Sequence, residues 1–284
     1  MKLDAIKTIA VIGAGTMGQG IAHICAAAGY KVLIYDVQAE VVIKGISSIK
    51  KSVEALVEKG KLTAGERETI QNNIQSVSDF RHLQVDLAIE AVVEKLDIKQ
   101  KIFAELEKNN AKDCVFVSNT SSIPITQIAA ALKYQDRFAG LHFFNPAPVM
   151  KLVEIIRAAA TSGETIELLN QFCVKLNKTS VIAQDSPGFI VNRVARHFYV
   201  ESLKLLEENV ADFKSIDLLM RSAGFKMGPF ELMDLIGVDT NFSVTTSIYN
   251  AFHQDPKFRP SRIQQQKVDA GHFGRKTGKG FYTY

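Results

Sequence analysis

Along the first 185 residues, short apolar runs rich in β-branched residues alternate with longer stretches of helical periodicity. Residues 6–12 and 137–144 read as buried strands, and 31–35, 86–90, 114–118, 150–156 and the short run 180–183 as further strands. Helical patterns follow the first strand as far as Gly29 and cover residues 38–73, 95–109 and 164–176. Within residues 38–73, Thr63-Ala-Gly-Glu66 has the form of a capping box, which opens a second helix there. After residue 185 the pattern changes to amphipathic helical segments with no convincing strand. Ser186-Pro187-Gly188 reads as a helix start, with Ser as N-cap and Pro in the first turn. Pro229 restarts the chain after Met227-Gly228, and residues 238–253 form a further helix. The pattern predicts an α/β domain over residues 1–185 and an all-helical one over 186–284.

The first strand runs directly into Gly13-Ala14-Gly15-Thr16-Met17-Gly18. Gly13 permits a tight turn, Gly15 lets backbone approach a pyrophosphate, and Gly18 lets helix pack close to strand. The helix that opens at Thr16 and Met17 offers its N-terminus to an anion. The second strand ends in Asp36, at the spacing where an acid holds a ribose 2′-hydroxyl. That carboxylate would repel a 2′-phosphate, and Val37 brings no cation, so the cofactor expected is NAD rather than NADP. The fold class predicted is α/β: a Rossmann-type, mostly parallel sheet followed by a second, all-helical C-terminal domain.

His142 lies near the end of the apolar run 137–144, where Asn145-Pro146 and Pro148 force a turn. The returning run, Met150-Lys-Leu-Val-Glu154-Ile-Ile, carries a carboxylate at its apolar centre. An unpaired charge there would cost several kcal/mol, so a neighbour must compensate it. His142 on the adjacent strand is the economical partner: a carboxylate bonded to Nδ1–H fixes the tautomer and leaves Nε2 to move a proton. Surface or core-satisfied histidines are the commoner case, so this stretch by itself leaves both readings open.

In open parallel sheets ligands sit beyond the carboxyl ends of the strands, so Glu90, Ser121 and His142 can converge on one crevice. Ser122 reads as ordinary turn chemistry. Lys44, Lys50, Lys51, Lys59 and Lys61 face only Glu54 and Glu58 between residues 44 and 61. They form either a solvated helix face or a landing strip for a phosphorylated ligand. Asn192 and Arg193 fall about one turn into the first helix of the second domain, and aromatics flanking the glycines of Phe273–Tyr282 suggest that this segment docks.

Composition narrows the class. At 284 residues with 46% hydrophobic and 23% charged positions, the chain is ordinary for a globular protein. A net charge of +4, with cations scattered, indicates neither nucleic acid nor membrane as a partner. Cys25, Cys114 and Cys173 are too far apart for a zinc knuckle or redox pair, so no metal is expected and the thiols read as buried in a reducing compartment. A strand within the first residues leaves no room for a leader peptide, and no apolar run approaches the 18 residues or so of a membrane span. The expected location is cytoplasmic.

With these motifs in hand, the chain closely resembles the L-3-hydroxyacyl-CoA dehydrogenases, and within them the short bacterial 3-hydroxybutyryl-CoA dehydrogenases. The match runs nearly end to end: GAGTMGQGIA at the start, SNTSS at 118–122, GLHFFNP at 140–146, MKLVE at 150–154, DSPGFIVNR at 185–193, GPFELMD at 228–234 and KTGKGFY at 276–282. The resemblance implies that His142 is the catalytic base, that Glu154 orients it, and that Ser121 and Asn192 contact the substrate's reacting oxygen or thioester. It further implies NAD contacts from the phosphate loop, Asp36, Glu90, Lys95, Ser121, Asn145 and Lys276, and coenzyme A contacts from Ser52 and Lys59. It also implies a homodimer formed through the helical domain, acting on an acyl-CoA. A 3-hydroxyisobutyrate-type dehydrogenase would use a lysine base on the interdomain helix, where Asn192 and Arg193 stand instead. A free hydroxy-acid dehydrogenase or a lens-crystallin relative would not need the coenzyme A handle. A non-enzymatic NAD sensor would have no reason to bury Glu154.

Overall fold

Continuous β-branched runs without polar alternation belong to strands covered on both faces, and the central strands of the sheet are so covered, whereas the edge strand formed by the 180–183 run is largely exposed. The computed structural model describes residues 2–284, which divide into two units, one ending at Ser186 and one beginning at Pro187. The first unit contains β1 (Thr8–Ile12), α1 (Thr16–Ala27), β2 (Lys31–Tyr35), α2 (Ala39–Glu58), α3 (Ala64–Asn73), β3 (Ile74–Ser76), β4 (Leu87–Glu90) and α4 (Leu96–Asn109). It continues with β5 (Val115–Ser118), α5 (Ile125–Ala129), β6 (Phe138–Phe143), β7 (Leu152–Arg157), α6 (Gly163–Lys175) and β8 (Thr179–Gln184).

One eight-stranded sheet results, in the order β3-β2-β1-β4-β5-β6-β7-β8, with every pair parallel except β6 and β7. The core strands β4, β5 and β6 are buried at every position; Leu87, Ile89, Val115, Val117, Ala139 and Leu141 join α1 and α6 in one cluster, while Phe116 and Phe138 pack against Phe103 of α4. The capping box at Thr63 and Glu66 forms on α3. Strand β3 was not expected: three residues, only Ile74 of them apolar, are too short to show a period, and pairing with β2 makes them a strand.

The second unit is helical: α7 (Val191–Glu207), α8 (Phe213–Ser222), α9 (Pro229–Ile236), α10 (Val238–Ala251) and α11 (Arg262–Asp269). One sequence expectation needs correction here. The first helix begins at Val191, not at Ser186, because Gly188 (φ 74°) and Phe189 (φ 50°) turn the chain out of right-handed helical geometry. Asn192 and Arg193 therefore sit in the first turn of α7 rather than one turn into it.

The terminal aromatic segment docks within the second unit. Asp234, 1% exposed, accepts the amides of Phe281 and Tyr282 and the Tyr284 hydroxyl. Asp217, also buried, accepts two amides at the start of α9 and the Tyr282 hydroxyl, and burial pushes its pKa up. Bonds to a charged acceptor are the stronger kind, so Asp234→Ala, which orphans three donors, is expected to destabilise the fold by on the order of 3 kcal/mol, measured by denaturant unfolding.

Candidate active site

Register carries the chemistry to one sheet edge. Ile12 pairs with Glu90, Glu90 with Ser118, and Ser118 with Gly140, so the carboxyl ends of β1, β4, β5 and β6 lie side by side. Because β7 runs antiparallel to β6, its beginning rather than its end reaches that edge, and His142 pairs directly across from Glu154. Directly opposed residues on an antiparallel pair project to the same face. Accordingly His142 Nδ1 and Glu154 Oε2 are 2.8 Å apart, with His142 6% and Glu154 1% exposed. The imidazole also packs against the Phe144 ring, centroids 4.5 Å apart. A buried carboxylate at Nδ1 sets the tautomer in which Nδ1 carries hydrogen and Nε2 bears the lone pair.

The glycine loop has the geometry a dinucleotide needs. Gly13 has φ 101°, and a Cβ there would lie 2.5 Å from the Ala91 carbonyl oxygen; a Cβ on Gly18 would lie 1.7 Å from the Gly13 oxygen. Around Gly15 a Cβ would meet nothing within 4 Å, and Gly15 caps α1 with no side chain over the helix N-terminus and no acid in the first turn, which holds Thr16 and Met17. The space and the bare amide dipoles suit a diphosphate. Asp36, just past β2, accepts the Ala14 amide at 2.9 Å and the Gln38 amide at 3.1 Å, which fixes its carboxylate beside that loop.

The structure redistributes the remaining expected contacts. Glu90 is fully buried: its carboxylate accepts the Lys99 ammonium at 2.6 Å, the Ser118 hydroxyl at 2.6 Å and the Val92 amide at 2.7 Å. Its side chain is thus engaged in the interior. Lys95 is the exposed N-cap of α4. Glu94 and Lys99, which the sequence reading missed, hold the loop instead. Lys99 bridges to Glu94 at 3.2 Å, and Glu94 Oε1 accepts the Thr120 hydroxyl at 2.5 Å and the amides of Ser121 and Ser122 at 3.0 and 3.1 Å. Burial by itself would raise the Glu94 carboxyl, but the Lys99 ammonium and bonds from Thr120, Ser122 and Ser121 outweigh it and hold the pKa below the ordinary value. A signal existed in the sequence: Lys99 falls at i, i+4, i+7 with Phe103 and Leu106 on the buried face of α4, where a cation needs an acid. Asn119, also missed, accepts the Phe143 amide at 2.9 Å and ties the loop to β6.

Asn145 is exposed, following β6. Ser52 on α2 and Lys59 at its C-cap are exposed and two turns apart, hence on one face. In the second unit, Asn192 is half-buried in α7, and Lys276 pairs with Asp239 at 2.7 Å. Among the described residues no cluster of His, Cys, Asp and Glu could hold a metal, and no helix is long and apolar enough to cross a membrane.

Two family models together match nearly the whole chain. Residues 8–186 match the model of the 3-hydroxyacyl-CoA dehydrogenase NAD binding domain, and residues 188–284 match that of the 3-hydroxyacyl-CoA dehydrogenase C-terminal domain. The chain belongs to the 3-hydroxyacyl-CoA dehydrogenase family. A 3-hydroxyadipyl-CoA dehydrogenase of Escherichia coli K12 is 47% identical over 98% of this chain, which spans 59% of that relative's length. A 3-hydroxybutyryl-CoA dehydrogenase of Bradyrhizobium diazoefficiens is 40% identical, covering 98% of this chain and 96% of that one. The crystal structure of (S)-3-hydroxybutyryl-CoA dehydrogenase from Ralstonia eutropha superposes with a TM-score of 0.94 at 39% identity, covering 99% of both chains. The family's cofactor is NAD, and the open N-terminus of α1 fits it.

Two outcomes test this site. Gly15→Val, filling space that the fold leaves open, is expected to keep the melting temperature but weaken NADH binding by about tenfold or more, read by fluorescence titration. Because the Glu94 pKa is depressed on folding, its contribution is fully present above the unfolded glutamate value and lost as pH falls through the folded one. Amide protection factors at Ser121 and Ser122 should therefore fall on acidification, and Glu94→Gln should remove that dependence.

Proposed function

We propose that this protein interconverts a short-chain 3-hydroxyacyl-CoA and the 3-oxoacyl-CoA, as 3-hydroxybutyryl-CoA and acetoacetyl-CoA, with NAD(H) as hydride carrier. The observation that carries the reading is the buried 2.8 Å contact between His142 Nδ1 and Glu154 Oε2 on opposed strand residues. NAD(H), when bound, supplies the hydride chemistry at C3. In oxidation, His142 Nε2 takes the proton of the 3-hydroxyl group; in reduction, the imidazolium returns it to the ketone. Glu154 keeps Nδ1–H in place and stabilises the charge on the ring. Ser121, its amide fixed by Glu94, and Asn192 align the reacting oxygen by positioned dipoles. Gly13, Gly15, Thr16, Met17 and Gly18 receive the diphosphate, Asp36 the ribose, and Lys95, Ser121, Asn145 and Lys276 complete the cofactor contacts. Exposed Ser52 and Lys59 are the handle for coenzyme A.

The protein acts as a homodimer through its helical unit. That unit exposes Val194 at 68%, Leu218 at 59%, Leu219 at 68% and Phe225 at 50%, an apolar surface that a second copy would cover. Light scattering of the purified protein checks this.

The decisive assay compares acetoacetyl-CoA with free acetoacetate as oxidants of NADH. Turnover of the thioester alone supports the reading, turnover of the free acid assigns a hydroxy-acid dehydrogenase, and absence of both indicates a crystallin-like, non-enzymatic role. The E. coli relative makes 3-hydroxyadipyl-CoA the second thioester to assay. His142→Gln is expected to lower kcat by about 10²- to 10⁴-fold while NADH binding is retained; near wild-type turnover in that variant refutes His142 as proton carrier.

A further inference from the structure

Lys178 is a buried cation that the proposed chemistry does not use. It stands immediately before β8, is 7% exposed, and its Nζ donates to the carbonyl oxygens of Ala147 and Met150 at 2.5 and 2.7 Å. Both acceptors lie in the segment that joins β6 to β7, so the ammonium ties two points of the connection between His142 and Glu154. Within that segment the Val149 and Met150 amides also donate to the Pro146 carbonyl at 3.0 Å.

From the opposite direction α1 abuts the same segment. A Cβ built on Gly20 would lie 3.0 Å from the Ala147 Cβ and 3.2 Å from the Pro148 Cδ. The connection is thus gripped between the helix that offers its N-terminus to the diphosphate and an ammonium reaching over from the start of β8. Carbonyl oxygens, not a carboxylate, receive the charge. Burial and then Lys151 lower the Lys178 pKa, Cys173 on α6 acts in the opposite sense, and Lys178 in turn adds to the burial that lowers the pKa of His23 on α1. A methionine would fill the same volume without these electrostatic costs, so packing does not account for a lysine here.

We propose that Lys178 is a positioning residue for the reaction: it holds the β6–β7 connection against α1 and so sets where His142 and Glu154 stand relative to the bound dinucleotide. This rests on the reading of His142 as proton carrier. Antiparallel register is set by the connection, and displacing a reacting group by about 1 Å can cost a hundredfold in rate.

Lys178→Met is expected to lower kcat by about 10- to 100-fold, with NADH affinity and the KM for acetoacetyl-CoA changed less than about threefold, and Lys178→Arg to recover part of the loss. Amide exchange at Val149 and Met150 should rise in the Met variant. A lower melting temperature with wild-type kcat and unchanged exchange would mark a merely structural lysine and overturn the proposal. Should Lys178→Met not fold, Gly20→Ala pushes on the connection from the other direction, and an unaltered kcat there overturns it equally. If wild-type protein fails to oxidise NADH with acetoacetyl-CoA, the reading of the site fails instead, and the exchange measurement still decides whether Lys178 holds the connection.

Discussion

A carboxylate inside a sheet is tolerable only with a partner, and Glu154 has its partner across the strand pair. The requirement is strict because both groups are nearly excluded from water, where a lone charge costs several kcal/mol. It constrains the register of β6 against β7: a shift by one residue would turn His142 and Glu154 to opposite faces and leave the acid unsatisfied. Stability and chemistry therefore select the same alignment.

The same economy recurs along the sheet edge. Glu90 and Lys99 satisfy one another in the interior, and Glu94, at the rim, takes the second share of the lysine's charge while collecting the hydroxyl and amide donors of the loop at 120–122. The loop after β5 is thus held by bonds to a charged acceptor, and Asn119 ties it to β6. The groups that support this loop are themselves engaged beneath it.

Much of this was legible in the chain. Long apolar runs gave all strands except β3, and the glycine spacing anticipated the tight turn between β1 and α1, because backbone geometry there tolerates few alternatives. Glu154 stood out because a charge in an apolar run demands an explanation. Glu90 and Lys95 were less legible: both lie near a strand end, and sequence spacing does not tell a carboxylate that points inward from one that points outward. In the fold the Glu90 carboxylate is engaged in the interior and Lys95 is exposed, while Glu94 and Lys99 hold the loop at 120–122. The start of α7 was misjudged for a local reason, since Ser-Pro ordinarily opens a helix but Gly188 and Phe189 adopt positive φ just after it.

The reversal of β7 has a kinetic consequence. A parallel neighbour would have required a crossover of a dozen or more residues, whereas an antiparallel one needs only a short connection, so His142 and Glu154 are 12 positions apart in the chain. Loop-closure entropy for such a hairpin is small, while β1 must find β4 across a far longer stretch of sequence. The His142–Glu154 contact can thus assemble by local search, and the pairing of β1 with β4 is the part whose formation waits on distant segments.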